Sequence, residues 1–152
     1  MPSLPGYLKA MEDVCREYGA LFIVDEIMCG MGRCGQLHAW QGEKVHPDIQ
    51  LMGKGLAGGY REISAILVGG QERCLFDAFY EQKKTFNHGH TFQNSPVGAA
   101  AGLEALKIIQ ELDLIKNVRH KGALLMQRLK ARIADHPNVG DIRGQGLFIG
   151  VS

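Results

Sequence analysis

The 152-residue sequence has no appreciable excess of charge. Seventeen Lys and Arg against sixteen Asp and Glu leave a net charge of +1, and no basic run resembles the stripe that follows a phosphate backbone, so nucleic acid is not an expected partner. Long apolar runs are missing too: none approaches the ~20 residues of a membrane span, and the opening MPSLPGYLKA has neither a basic region nor an apolar core of a leader peptide. No membrane partner is expected. Cysteine is scarce, at positions 15, 29, 34 and 74, too few and too uneven for the disulfide frame of a small secreted domain. A reducing, cytoplasmic compartment is the expectation. Hydrophobic residues at 45% and charged residues at 22% exclude a disordered, collagenous or coiled-coil chain. At roughly 150 residues per domain, the length fits one domain or part of a larger one.

Glycine is what the sequence has in quantity: 20 residues, about twice ordinary usage. Around the glycines the pattern alternates. Leu8, Met11, Cys15 and Tyr18 recur at helical spacing after Pro5, predicting a helix over 6–18 that Gly19 stops. Ala20–Val24 (ALFIV) reads as a buried parallel strand delivering Asp25 and Glu26 at its carboxyl end, where ligands bind in α/β sheets. Ile49–Met52 is a second strand, running into Gly53-Lys54-Gly55, and Ile63–Val68 a third, before Gly69-Gly70. Leu75, Phe76 and Phe79 mark a helix, and a polar loop over 83–95 leads to Pro96 at a first helical position with Ser95 or Asn94 as cap. That helix runs to about Glu111, another follows from Leu114 to Ala134, and GDIRGQGLFIGVS returns to strand character. The alternation predicts an α/β fold.

Asp25 and Lys54 are the candidate chemical pair, because neighbouring parallel strands bring their carboxyl ends side by side. A lysine in a glycine-rich pocket can form a Schiff base with a carbonyl, and a carboxylate in the same crevice suits the pyridinium nitrogen of pyridoxal phosphate. The plain alternative is that Asp25 caps a neighbouring element and Lys54 is a solvated loop lysine. Two other patterns compete for the glycine-rich stretch. Gly30-Met31-Gly32-Arg33-Cys34-Gly35 spells a dinucleotide fingerprint, but QLHAWQGEKVHPD behind it lacks the helical apolar stripe that such a site requires. Cys29, Cys34 and His38, with His88 and His90, have the residue types of a zinc site but not its tight cysteine pairs, so no metal is expected.

Three blocks taken together, ALFIVDEIMCGMGRCG, HPDIQLMGKGLAGGY and FNHGHTFQNSPVGAAAGLEAL, resemble the class III (omega) aminotransferases of pyridoxal-phosphate fold type I, in order and in spacing. The resemblance implies part of that fold's large domain, a mostly parallel sheet flanked by helices, over 1–110. A linking helix and the start of the C-terminal small domain follow over 111–152. It implies pyridoxal 5′-phosphate as cofactor, with Asp25 as pyridinium partner, Ile27 packed on the ring face, Lys54 as the lysine of the aldimine, and Thr91 as the residue that reaches the cofactor phosphate across a homodimer interface. Arg33 is expected to be structural, and His88 and His90 to shape their loop.

The implied reaction moves an amino group between an amine or amino acid and a 2-oxo acid or aldehyde. Aminomutase, racemase and decarboxylase chemistry run on the same scaffold in relatives, and a truncated, non-catalytic remnant or interaction module is the rival reading. By the same resemblance the chain is a partial one, lacking an N-terminal part and most of the small domain, which leaves organellar targeting open. It departs from the family at Met28, where glutamine is common, and at Arg61-Glu62, where small residues or proline are usual.

Overall fold

The computed structural model of the protein describes residues 3–69 and 75–152. Gly70 and Cys74, both singled out above, lie outside the described residues. Helix α1 spans Tyr7–Glu17, starting from Gly6 at φ +83° and ending at Tyr18, one residue inside each predicted bound. Its Leu8 and Cys15 pack on a small core of Phe22, Val24 and Val45, joined by Trp40. The polar side of α1 is tied down as firmly as the apolar side. Buried Glu12 accepts the His46 N–H at 2.8 Å, and Arg16 pairs at 2.7 Å with Asp48, which is 1% exposed and also accepts the Phe22 N–H. A carboxylate so buried is tolerable only when it is paired and hydrogen-bonded, and both bonds here fall on Oδ2.

Strand β1 is Ile23–Asp25, shorter than predicted because the Phe22 N–H is taken by the Asp48 side chain rather than by a neighbouring strand. It pairs in parallel with β2, Ile49–Met52, setting Ile23 against Ile49 and Asp25 against Leu51. Strand β3, Ala65–Val68, pairs with β2 in the antiparallel sense, Ile49 opposite Val68 and Met52 opposite Ala65. The connection from 53 to 64 holds only a short 3-10 turn, Lys54–Ala57, and turns back along β2. A parallel return would need a longer crossover. Ile63 and Ser64 fall short of the ladder since β2 has ended at Met52.

Helices α2, Leu75–Glu81, and α3, Pro96–Glu111, follow; α3 begins with proline at its first position and with the Ser95 hydroxyl accepting the Gly98 N–H at 3.4 Å. Buried Gly98 and Gly102 face the 56–63 segment, where an added Cβ would make ordinary contacts with Glu62 O and Leu56 O at 3.5 Å. Helix α4, Leu114–Ile133, lies against a hairpin formed by β4, Ile142–Gln145, and β5, Phe148–Val151. The strand character expected there takes the form of two strands, joined at Gly146 with φ +58°. At that turn three backbones meet: Gly146 abuts the Arg33 carbonyl and Gly35, and its own carbonyl lies against Gly122 of α4. Among the described residues no helix is long and apolar enough to cross a membrane.

Candidate active site

Lys54 stands two residues past the end of β2, immediately after Gly53. Its φ is +45°, a left-handed conformation that costs a non-glycine residue on the order of 1–3 kcal/mol and concentrates at functional sites. The side chain is exposed and opens onto a cavity of about 420 Å³ whose walls also include Ile27, Met28, Arg33, Ile115 and Phe148. Ile27 is held against the lysine's neighbour, since a Cβ on Gly53 would lie 3.5 Å from the Ile27 Cγ2. The structure thus brings Ile27 and Lys54 to one cavity.

Asp25 ends β1 on the adjacent strand. Opposite it is Leu51, three residues before Lys54, so by strand rise and spacing the two Cα atoms lie within roughly 11 Å. One carboxylate oxygen, Oδ1, accepts the Ile27 N–H at 2.9 Å, which fixes the side chain while leaving it exposed. It does not line the cavity of Lys54; it borders a second space of about 740 Å³ against α1. Thr91 lies farther off, exposed in the turn over 91–94, and borders neither cavity. Its loop carries a run of ring contacts, Phe86 to His88 at 5.8 Å and His88 to His90 at 4.8 Å, so both histidines shape the loop.

The glycine-rich segment over 28–38 forms consecutive turns and opens no amphipathic helix; a 3-10 turn, Ala39–Glu43, comes next. Its anchor is Glu26, which sequence reasoning missed. The buried carboxylate accepts the Ala39 N–H at 2.7 Å and the Trp40 N–H at 3.1 Å, capping the 3-10 turn. Beside it, buried Gln50 bridges the Trp40 Nε1–H and His38 Nδ1, with the rings of His38 and Trp40 stacked at 5.7 Å. Burial pushes the His38 pKa below its ordinary value, against the pull of Glu26. Burial likewise raises the Cys29 thiol to about 11, with Glu26 adding to the shift, while Cys29 Sγ contacts the Asp25 carbonyl at 3.6 Å.

Arg33 is structural through its backbone rather than its guanidinium: the carbonyl accepts the Leu147 N–H at 2.9 Å and holds the hairpin turn. Its side chain is exposed and makes no hydrogen bond or ion pair among the described residues. The guanidinium that does secure this loop belongs to Arg119 of α4, donating to the Gly35 carbonyl at 2.6 Å and to Gln36 at 3.0 Å.

Comparison with known proteins places this geometry. The whole chain, residues 1–152, matches the sequence profile of the family described as aminotransferase class-III. It is 51% identical over 148 residues to an aminotransferase of Gibberella zeae, covering 97% of this chain and 28% of that protein. Among solved structures, an aminotransferase of Bacillus anthracis superposes with a TM-score of 0.91 at 38% identity, covering 99% of this chain and 33% of its own. A taurine:2-oxoglutarate aminotransferase of Bifidobacterium kashiwanohense, solved in complex with PLP and glutamate, gives 0.88 at 31% identity, covering 97% and 32%. The chain spans about a third of the length of the relatives it matches.

Proposed function

This chain belongs to the class-III aminotransferase family, and on that premise we propose that it carries part of an aminotransferase site. The reaction moves an amino group between an amine or amino acid and a 2-oxo acid or aldehyde, with pyridoxal 5′-phosphate as cofactor. The observation that carries the reading is Lys54: an exposed amine on a strained backbone, opening onto an apolar cavity beside the strand end that bears Asp25.

The donor set fits the cofactor. When bound, pyridoxal phosphate supplies an aldehyde and a ring that accepts electrons from a substrate carbanion. Lys54 offers the primary amine that the aldehyde requires, and Asp25 the carboxylate that a protonated ring nitrogen requires. With Asp25 Oδ1 engaged by the Ile27 N–H, the other oxygen is the one that would accept from that nitrogen. Ile27 supplies an apolar flank next to Gly53, where any side chain would crowd it. The Lys54 amine would serve as the general base for the substrate Cα proton. Thr91 would offer its hydroxyl to the cofactor phosphate from a second copy, which makes a homodimer the proposed functional unit. The exposure of the whole 81–94 segment supports that role.

Residues 1–110 form the cofactor-binding large-domain portion, and 111–152 the linking helix and start of the small domain. The break at Asp113, φ +46°, and the separate β4–β5 sheet support this division. The thiols of Cys15, Cys29 and Cys34 are free, in keeping with a cytoplasmic protein.

Borohydride reduction in the presence of pyridoxal phosphate, followed by peptide mapping, tests the assignment. The label is expected on Lys54 and to vanish in Lys54→Ala. Label spread over Lys44, Lys83 and other surface lysines would overturn it.

A further inference from the structure

Along 22–26 exposure alternates with the strand: Phe22 and Val24 are buried, Ile23 and Asp25 exposed, and Glu26 falls on the buried side at 4% exposure. A charge in that row costs free energy that an apolar residue would not, so its bonds have to compensate. Among the described residues four hydrogen bonds hold it. The Glu26 N–H donates to the Leu51 carbonyl at 3.0 Å, and its carbonyl accepts the Gly30 N–H at 3.0 Å. Its carboxylate oxygens Oε2 and Oε1 accept the N–H groups of Ala39 and Trp40 at 2.7 and 3.1 Å.

These bonds reach three separate stretches of chain: β2, the start of the glycine-rich turns, and the 3-10 turn beyond them. Gly30 is seated so closely that an added Cβ would lie 2.7 Å from the Glu26 carbonyl oxygen and 3.1 Å from Oε2. Glu26 therefore cannot rotate without leaving a buried group unpaired. Its chain neighbours are the two ends of another bond, for Asp25 Oδ1 accepts the Ile27 N–H at 2.9 Å. The two peptide units that join Asp25 to Ile27 both belong in part to Glu26, so fixing Glu26 fixes where that bond lies.

We propose that Glu26 is a positioning residue for Asp25: anchored from three sides, it holds the Asp25 carboxylate in the place where the ring nitrogen of the cofactor is met. The inference rests on the role proposed for Asp25 above and adds the residue that sets its geometry. A carboxylate is required for this. An amide would offer one acceptor oxygen to two N–H donors and turn its own NH2 toward the other. Glu26→Gln is thus close to isosteric and still breaks one side of the bracket. Ala39→Pro breaks the same bracket without altering Glu26, by deleting the Ala39 N–H. Ala39 is the first residue of the 3-10 turn, where proline suits, and His38 before it is extended at φ −117° and ψ 131°, as a residue preceding proline should be.

The test needs no turnover. Affinity for pyridoxal 5′-phosphate is measured by fluorescence titration of the chain for the native sequence, Glu26→Gln, Ala39→Pro, Asp25→Asn, and Asp25→Asn combined with each of the other two. Far-ultraviolet circular dichroism confirms folding, and the visible dichroism of the bound cofactor reports how its ring is seated. Glu26→Gln and Ala39→Pro are each expected to weaken binding about tenfold in the native background and less than about twofold once Asp25 is replaced, because a residue that acts through Asp25 then has nothing to position. The visible dichroism of both should shift toward that of Asp25→Asn. Equal losses in the two backgrounds, the mark of a merely structural role, overturn the proposal; so does native affinity in a folded Glu26→Gln. Should Glu26→Gln not fold, native affinity in Ala39→Pro decides against it in the same way. An Asp25→Asn chain that binds the cofactor as tightly as the native chain overturns instead the role assigned to Asp25, and this inference falls with it.

Discussion

Cys29 shows how closely the reactive strand end is coupled to its surroundings. Its thiol sits four residues after Asp25, on the Asp25 carbonyl, in a half-buried place beside the carboxylate of Glu26. Burial first and Glu26 second raise its pKa from 9.0 to about 11. The sign follows directly: the thiol form is favoured by folding, so this contribution to stability is complete below pH 9 and is lost as pH rises through 11. At pH 8 a two-unit rise removes about a hundredfold of thiolate, and the greater nucleophilicity of the remainder restores roughly a factor of ten. Alkylation of Cys29 by iodoacetamide should therefore run about tenfold slower in the folded chain than in urea, read by mass spectrometry of the peptide. Equal rates would show that the pocket around Cys29 is open to water.

Elements divide by how local their causes are. Helix α1, Pro96 opening α3, and the strand ends carrying Asp25 and Lys54 were legible because periodicity, caps and apolar runs are written in neighbouring residues. The β4–β5 hairpin, the antiparallel β3 and Glu26 as the cap of a turn thirteen residues on were not legible. Each depends on which distant backbone lies alongside, and Glu26 gives no sign of that beyond its place after Asp25.

Glycines test the distinction, since two of them on helices look alike in sequence and differ in what they touch. Gly102 of α3 has only ordinary contacts for an added methyl, the nearest at 3.5 Å. Gly102→Ala should be neutral or stabilising, by up to about 1 kcal/mol from helix propensity. On Gly122 of α4 the same methyl would fall 2.2 Å from the Gly146 carbonyl oxygen, which is backbone and cannot swing aside. Gly122→Ala should destabilise despite the same propensity gain, by about 1–3 kcal/mol, as the helix is pushed off the hairpin. Urea midpoints for the two variants should move in opposite directions, or with Gly102→Ala unmoved. Matching losses would mean that α4 and the hairpin are packed more loosely than described.

At the scale of the whole molecule, surface area is the governing quantity. The chain exposes 11,016 Å², against roughly 7,600 Å² for a folded monomer of 16.7 kDa. The excess includes large apolar groups, among them Tyr60 at 91%, Phe92 at 87% and Tyr80 at 80% exposed. Phe92 adjoins Thr91, so the polar segment assigned to the cofactor phosphate of a second copy also presents an exposed aromatic ring. Exposed apolar area of this extent marks an interaction surface. The chain in solution should therefore sediment as a dimer or larger, and a compact monomer would count against the assignment of Thr91. Thr91→Ala should leave that assembly in place, because the substitution removes a hydroxyl and no apolar contact. It should weaken retention of pyridoxal phosphate by the loss of one charge-assisted hydrogen bond, about 1.5–3 kcal/mol, or ten- to a hundredfold in affinity. Fluorescence titration of the cofactor, beside sedimentation of the same samples, separates the two effects. Unchanged affinity in an intact dimer would remove Thr91 from the site, whereas loss of the dimer itself would make its role structural.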